Sequence, residues 1–114
     1  MSRRTRNPSA TRRNYAPIFA ALGDETRLAL VAKLSEGRPR SIAKLTQGTR
    51  LTRQAVTKHL RVLEDARIVS RVKAGRESLF ELDPTPIKQV REYADVVSEH
   101  WDQALARLKA FVEE

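Results

Sequence analysis

Ile87, Val90, Ala94, Val97, Trp101, Ala104, Leu108 and Phe111 follow one another at alternating steps of three and four residues. That rhythm puts them on one face of an α-helix. Asp83-Pro84 supplies the start, the aspartate as cap and the proline at the first helical position. The helix predicted from there runs for about 28 residues, ~42 Å. Tyr93, Leu105 and Val112 widen its apolar stripe. A chain of 114 residues fits one domain, and a small domain cannot cover so long a seam by itself. Part of it packs on its own domain, and the rest calls for a partner helix from a second copy of the chain.

Shorter elements precede that helix. Ala16–Leu22 reads as a short apolar helix closed by Gly23. Asp24 caps a second helix, with Leu28, Val31 and Leu34 as its buried stripe, Leu30 and Ala32 beside them, and Glu36-Gly37 at its end. Ser41 caps a third, with Ile42 and Leu45 inward and Gly48 in the following turn. Thr52 caps a fourth. On a helical wheel Ala55, Val56, His59, Leu60, Val62, Leu63 and Ala66 fill an arc of roughly 160°. Arg53, Gln54, Thr57, Lys58 and Arg61 lie opposite. Residues 68–73 and 78–82 then read as strands around Ala74-Gly75-Arg76, a hairpin whose tip region carries Arg71, Lys73 and Arg76. The expected fold is mainly α with a small β-hairpin, in the order α-α-α-α-β-β-α.

Charge is divided sharply along the chain. The net +8 resolves into an arginine-rich start, a strongly basic middle and an acidic tail. Residues 1–13 hold five arginines and no acid. Residues 38–76 hold eleven basic side chains against Glu64 and Asp65. Residues 77–114 hold four bases against nine acids. Such asymmetry points to a polyanion as partner of the middle segment. Residues 1–14, without any hydrophobic period, read as a flexible basic arm, with an organelle transit peptide as the second reading. They lack the apolar stretch of a secretory signal.

Other function classes find little support. With no cysteine there are no disulfides, thiolate metal sites or thiol redox sensors. No run of apolar residues is long enough to span a membrane. Two histidines, no phosphate-cradling glycine loop and no clustered carboxylates argue against an enzyme. Six aromatic residues, none forming a stacking platform in the basic segment, argue against RNA.

Helix, glycine turn, helix and basic hairpin together make a winged helix-turn-helix, whose second helix offers its N-terminal side chains to the major groove. Arginine can pair with guanine and glutamine with adenine, while lysine and threonine suit phosphate oxygens. The acids Glu64 and Asp65 come late because only the first turns approach DNA.

Over residues 16–112 the chain also resembles the ArsR/SmtB family of bacterial dimeric repressors. The stretch LTRQAVTKHLRVLEDARIV follows that family's L-S-x-x-x-V-S-x-H-L-x-x-L-x-x-x-G-L-V, with Thr52 and Thr57 in place of serines and Arg67 in place of glycine. AGRESLFEL matches its wing. The resemblance implies a winged-helix dimer joined through its first and last helices. It implies DNA contacts from Arg53, Gln54, Thr57 and Lys58 and from the wing around Lys73 and Arg76. Thr52 is added as cap and phosphate contact together, and Arg61 and Arg71 as phosphate contacts. The expected dimer face comprises Phe19, Val90, Ala94, Val97, Trp101, Ala104, Leu105 and Leu108.

The family's metal sites have no clear counterpart. Where relatives carry cysteines before the reading helix, this chain has SIAKLTQGT. Asp95, Glu99 and His100 match poorly the multi-histidine zinc pattern on paired last helices, and read as a solvated acidic face before a metal site. His59, inside the apolar arc, reads first as a satisfied, partly buried residue that fixes the helix, then as a phosphate contact, and last as a metal ligand. The sequence therefore describes residues 15–83 as a DNA-binding domain and residues 84–114 as a dimerisation helix. The protein is expected to be cytoplasmic, to need no cofactor or metal, and to act on double-stranded operator DNA as a homodimer. Its signal is left to an organic ligand, a partner protein or its own abundance. The competing reading is an architectural or protein-interaction module that uses the same fold without reading sequence.

Overall fold

The computed structural model describes residues 8–113, with side-chain surroundings from residue 14. The chain order is α1 (Pro8–Leu22), α2 (Glu25–Leu34), β1 (Arg40–Ser41), α3 (Ile42–Thr46), α4 (Arg53–Asp65), β2 (Val69–Ala74), β3 (Glu77–Leu82) and α5 (Pro84–Glu113). The expected hairpin is present, and a strand not foreseen from sequence joins it. Arg40 pairs with Phe80 and Ser41 with Leu79, giving an antiparallel sheet of order β1-β3-β2. The first helix begins at Pro8, not at Ala16. Of the arm expected over residues 1–14, the first seven lie outside the described residues and the rest belong to α1.

Each predicted cap makes its bond. The Arg27 amide donates to Asp24 Oδ2 at 3.0 Å, the Lys44 amide to Ser41 Oγ at 3.1 Å, and the Ala55 amide to Thr52 Oγ1 at 3.0 Å. Between α3 and α4 the Thr49 hydroxyl donates to the Thr46 carbonyl at 2.6 Å and accepts from the Leu51 amide at 3.2 Å. Gly48, with φ of +80°, supplies the left-handed residue that reverses the chain there. The angle between the two helices of the motif is thus fixed by local hydrogen bonds.

One apolar core lies beneath α4. Val56, Leu60 and Leu63 from α4 meet Leu30 and Leu34 from α2, Leu45 from α3, Ile18 and Ala21 from α1, and Ile68, Val69 and Phe80 from the sheet region. The stripe of α2 differs from expectation. Leu30 and Leu34 are buried, whereas Leu28 is 52% exposed. Arg27 is the cause. Its Nε donates to the Ala21 carbonyl at 2.6 Å and its Nη1 lies 3.2 Å from His59 Nδ1. These bonds turn the Arg27 side of α2 inward and carry Leu28 to the outside.

The end of α4 explains the departure at Arg67. The Ile68 amide donates to the Leu63 carbonyl and the Arg67 amide to the Glu64 carbonyl, both at 2.9 Å. This is the Schellman arrangement, with buried Ile68 and Leu63 as its apolar contact. It requires a left-handed residue at position 67, and Arg67 adopts φ of +63°.

Helix α5 has 30 residues, about 45 Å. Its first half packs at home. Pro86 is buried, Ile87 and Val90 rest against the core, and Tyr93 meets Tyr15 and Phe19 edge-on with centroids 5.3 and 5.6 Å apart. Its second half extends past the domain. The molecule measures 66 × 38 × 21 Å with a radius of gyration of 18.5 Å, against ~13 Å for a compact chain of this length. No described helix is long and apolar enough to cross a membrane.

A left-handed backbone costs a side-chain-bearing residue ~1–2 kcal/mol, and glycine's extra chain entropy offsets about 0.5–1 of that. Arg67→Gly is therefore expected to raise stability by ~0.5–1 kcal/mol, read as a higher urea midpoint with an unchanged slope.

Candidate nucleic-acid interface

The exposed side of α4 carries the predicted residues together. Arg53, Gln54, Lys58 and Arg61 are exposed and Thr57 is half-buried. The five border one shallow groove along the helix. Thr52 sits at the helix start, its hydroxyl oxygen occupied by the Ala55 amide. The Thr57 hydroxyl donates to the Arg53 carbonyl at 2.7 Å. In that rotamer its oxygen can accept from a base but has no proton to offer a phosphate.

Side chains of one charge are put to two uses. Arg40 pairs with Glu36, and Arg71 pairs with Glu64 at 3.0 Å. The Arg71 guanidinium also lies 5.1 Å from the centroid of buried Phe80, a cation–π contact that roofs the core. Arg71, expected to bind phosphate, thus has intramolecular partners. By contrast, no carboxylate among the described residues comes within 4.0 Å of Arg53, Lys58, Arg61, Lys73 or Arg76. Their charge is left for an outside partner.

The wing extends the same surface. Lys73 and Arg76 are exposed, and Lys73 stands two residues beyond Arg71 on the strand, so it shares Arg71's face. Gly75, with φ of +64°, opens the two-residue turn with Arg76, and this frees the arginine to point outward from the tip. On α1 and α5, the expected dimer residues divide. Val90 packs partly on its own core, Val97 and Ala104 are half-buried, and Phe19, Ala94, Trp101, Leu105 and Leu108 are exposed. Phe111 and Val112 are exposed beyond them.

His59 lies behind the exposed basic face of α4 and not on it. Its side chain is 25% exposed, with Nδ1 3.8 Å from Asp24 Oδ2 and 3.2 Å from Arg27 Nη1. It fixes α4 against α2, as the first reading of it expected. The Arg27 amide holds Asp24 ionised below its ordinary pKa of 3.8, helped by the nearby Arg27 and His59 charges and opposed by partial burial. Among the described residues no group of three or more His, Cys, Asp or Glu is placed to hold a metal ion.

The sequence reading did not single out Lys44 and Gln47. Both are exposed and border a second groove, shared with Arg53, between α3 and the start of α4. Their spacing of three puts them on one side of a helical turn, the signal that would have found them.

Residues 22–72 match the helix-turn-helix domain family. An HTH-type transcriptional regulator of Mycobacterium tuberculosis, Rv2034, is 35% identical over 84% of this chain and 86% of its own length. The uncharacterised HTH-type regulator YuzN of Bacillus subtilis is 36% identical over 68% of this chain and 90% of its own. Among solved structures, an ArsR-like transcriptional regulator from Rhodococcus sp. RHA1 superposes with a TM-score of 0.76 at 30% identity, spanning 90% of this chain and 95% of that one. Fold, charge and relatives agree: the chain belongs to the ArsR/SmtB-type winged helix-turn-helix proteins. It is a DNA-binding transcriptional regulator.

Because the folded pKa of Asp24 is lowered, its charge contributes stability above the ordinary value of 3.8. That contribution is lost as pH falls through the lowered folded value. Asp24→Asn keeps a cap and removes the charge. The stability gap between wild type and this variant, from urea melts, should be full at neutral pH and close in acid below 3.8.

Proposed function

We propose that this chain is a homodimeric repressor that reads an operator through the N-terminal half of α4 and acts by occupying it. The observation that carries the reading is the row of Arg53, Gln54, Lys58 and Arg61, exposed and unmatched by carboxylates among the described residues. Arg53 and Gln54 are assigned to base edges, since they stand in the first turn. Lys58 and Arg61 are assigned to phosphates, with Lys73 and Arg76 of the wing on the flanking backbone. Thr52 and Thr57 keep secondary roles, the first as cap and the second as an acceptor. Arg71 is assigned to the base of the wing and not to DNA.

Dimerisation through α1 and α5 is supported by Trp101, 64% exposed, with Leu105, Leu108 and Phe111 continuing the same apolar face. Two copies would set two α4 helices ~34–36 Å apart, or a multiple, on one side of the duplex. A repressor of this kind works in the cytoplasm, on the chromosome. Its effector is assigned to no residue.

The test is fluorescence anisotropy on DNA from upstream of its own gene, with a scrambled duplex as competitor. A preference of ~10³ or more supports the reading. Equal binding of both duplexes would favour an architectural role. Arg53→Ala and Gln54→Ala should each cost ~1–3 kcal/mol on the upstream duplex and relax discrimination at one base position.

Trp101→Ala should weaken self-association by ~2 kcal/mol or more, as a central aromatic anchor does. Trp101→Glu with Leu105→Glu should give a folded monomer at micromolar concentration. Sedimentation velocity reads both outcomes.

A further inference from the structure

The groove between α3 and the start of α4 is not part of the reading face, yet its chemistry is that of an anion seat. Its border is Ser41, Ala43, Lys44, Thr46, Gln47 and Arg53. Two of these polar groups are already committed. Ser41 Oγ accepts from the Lys44 amide, and the Thr46 hydroxyl donates to the Ile42 carbonyl at 2.7 Å. What remains is a set of donors: the Lys44 ammonium, the Gln47 amide and the Arg53 guanidinium. All three side chains are exposed, and among the described residues no carboxylate lies within 4.0 Å of either cation. A cation would meet two positive side chains there, whereas an anion would meet two charges and an amide donor.

The surroundings hold these donors in place. The Lys33 ammonium donates to the Leu45 carbonyl at 3.2 Å and ties α3 to α2. Gln47 caps α3, its backbone N–H shared between the Ala43 and Lys44 carbonyls, which leaves its side-chain carboxamide free among the described residues. Arg53 borders both this groove and the one along α4. An anion seated here would therefore continue the surface that the reading helix presents. The groove is open and shallow, unlike the concave, largely enclosed sites that bury a small molecule. A charged group carried on a long polymer fits it better.

We propose that this groove seats a DNA backbone phosphate just outside the bases read by α4, held by Lys44 and Gln47, with Arg53 at its edge left to the bases. The inference rests on the reading of α4 as the DNA-facing helix. It makes α3 a second anchor, so that the motif grips the backbone from both of its helices. A phosphate contact fixes register and carries no sequence information. Lys44 and Gln47 should therefore strengthen binding to any duplex by a similar factor.

Two measurements decide it. In anisotropy titrations across a range of KCl concentrations, Lys44→Ala/Gln47→Ala should lower the slope of log K against log[salt] by ~1. Affinity for upstream and scrambled duplexes should fall by the same factor, while Lys44→Arg keeps the wild-type slope. In the second, single uncharged methylphosphonate linkages are walked along each strand of the upstream duplex. Among the linkages at which wild type loses affinity, one flanking each half-site should leave the double variant indifferent.

A double variant with the wild-type slope and linkage profile overturns the proposal while leaving the reading role of α4 intact. A wild type that binds both duplexes alike but loses slope in the double variant supports the seat and removes sequence-specific reading. Tight binding of inorganic phosphate without DNA, abolished by Lys44→Ala, would assign the groove to a free oxyanion and overturn it too. A wild type without affinity for DNA overturns both readings.

Discussion

Three helices meet at the Arg27 guanidinium. It donates to the carbonyl of Ala21 near the end of α1 and lies against His59 on α4, while the Arg27 backbone amide donates to the capping Asp24 carboxylate at the start of α2. No other side chain among the described residues bonds to both the N-terminal helix and the reading helix. A charge-assisted bond of this kind is directional in a way that apolar packing is not. It fixes how α2 is rotated and thereby which leucines reach the core. It also sets α4 at a defined attitude to α1, the helix against which α5 packs through Tyr15 and Phe19. The proposed reading surface and the proposed subunit interface are thus held in one rigid frame by polar contacts behind the exposed side of α4.

The same frame explains the distribution of basic residues. In a chain this basic, every arginine adds to the repulsion that opposes folding. Arg40 and Arg71 relieve part of it by pairing with Glu36 and Glu64, and Arg71 additionally covers Phe80. Those on the outer side of α4 and at the wing tip have no such relief among the described residues. Their positions are held by helix and hairpin geometry instead of by partners. The resulting surface is unfavourable for the isolated molecule and favourable for one that meets a polyanion.

Much of this could be read in the sequence, for identifiable reasons. Helix α4 has a long, clean apolar arc with a capping threonine, so its existence, its face and its charged side all followed from period and cap chemistry. Ser41 and Asp24 were equally plain, because a cap acts on amides only a few residues away. What escaped depended on contacts distant in sequence. Strand β1 has two residues, too few for any alternation, and exists because β3 offers it an edge. The rotation of α2 was set by a carbonyl on one helix and an imidazole on another. The helix expected from Ala16 instead runs from Pro8, through Pro17. Within the site, Arg71 and Lys73 look alike as letters. Only the placement of Glu64 beneath the strand separates the paired one from the available one.

The overhang of α5 makes reading frame along the helix more important than residue identity. Each inserted residue turns everything downstream by ~100° and advances it ~1.5 Å. One extra residue between Val97 and Trp101 would leave every side chain chemically unchanged, yet swing Trp101, Leu105 and Leu108 away from the face that continues Val90 and Tyr93. Seven extra residues would bring the stripe nearly back into phase and lengthen the arm by ~10 Å. Natural variation in the length of this segment should therefore occur in steps of whole heptads, while substitutions among apolar residues pass easily. The projecting half of the helix acts as a phase-locked ruler, in which spacing carries the information.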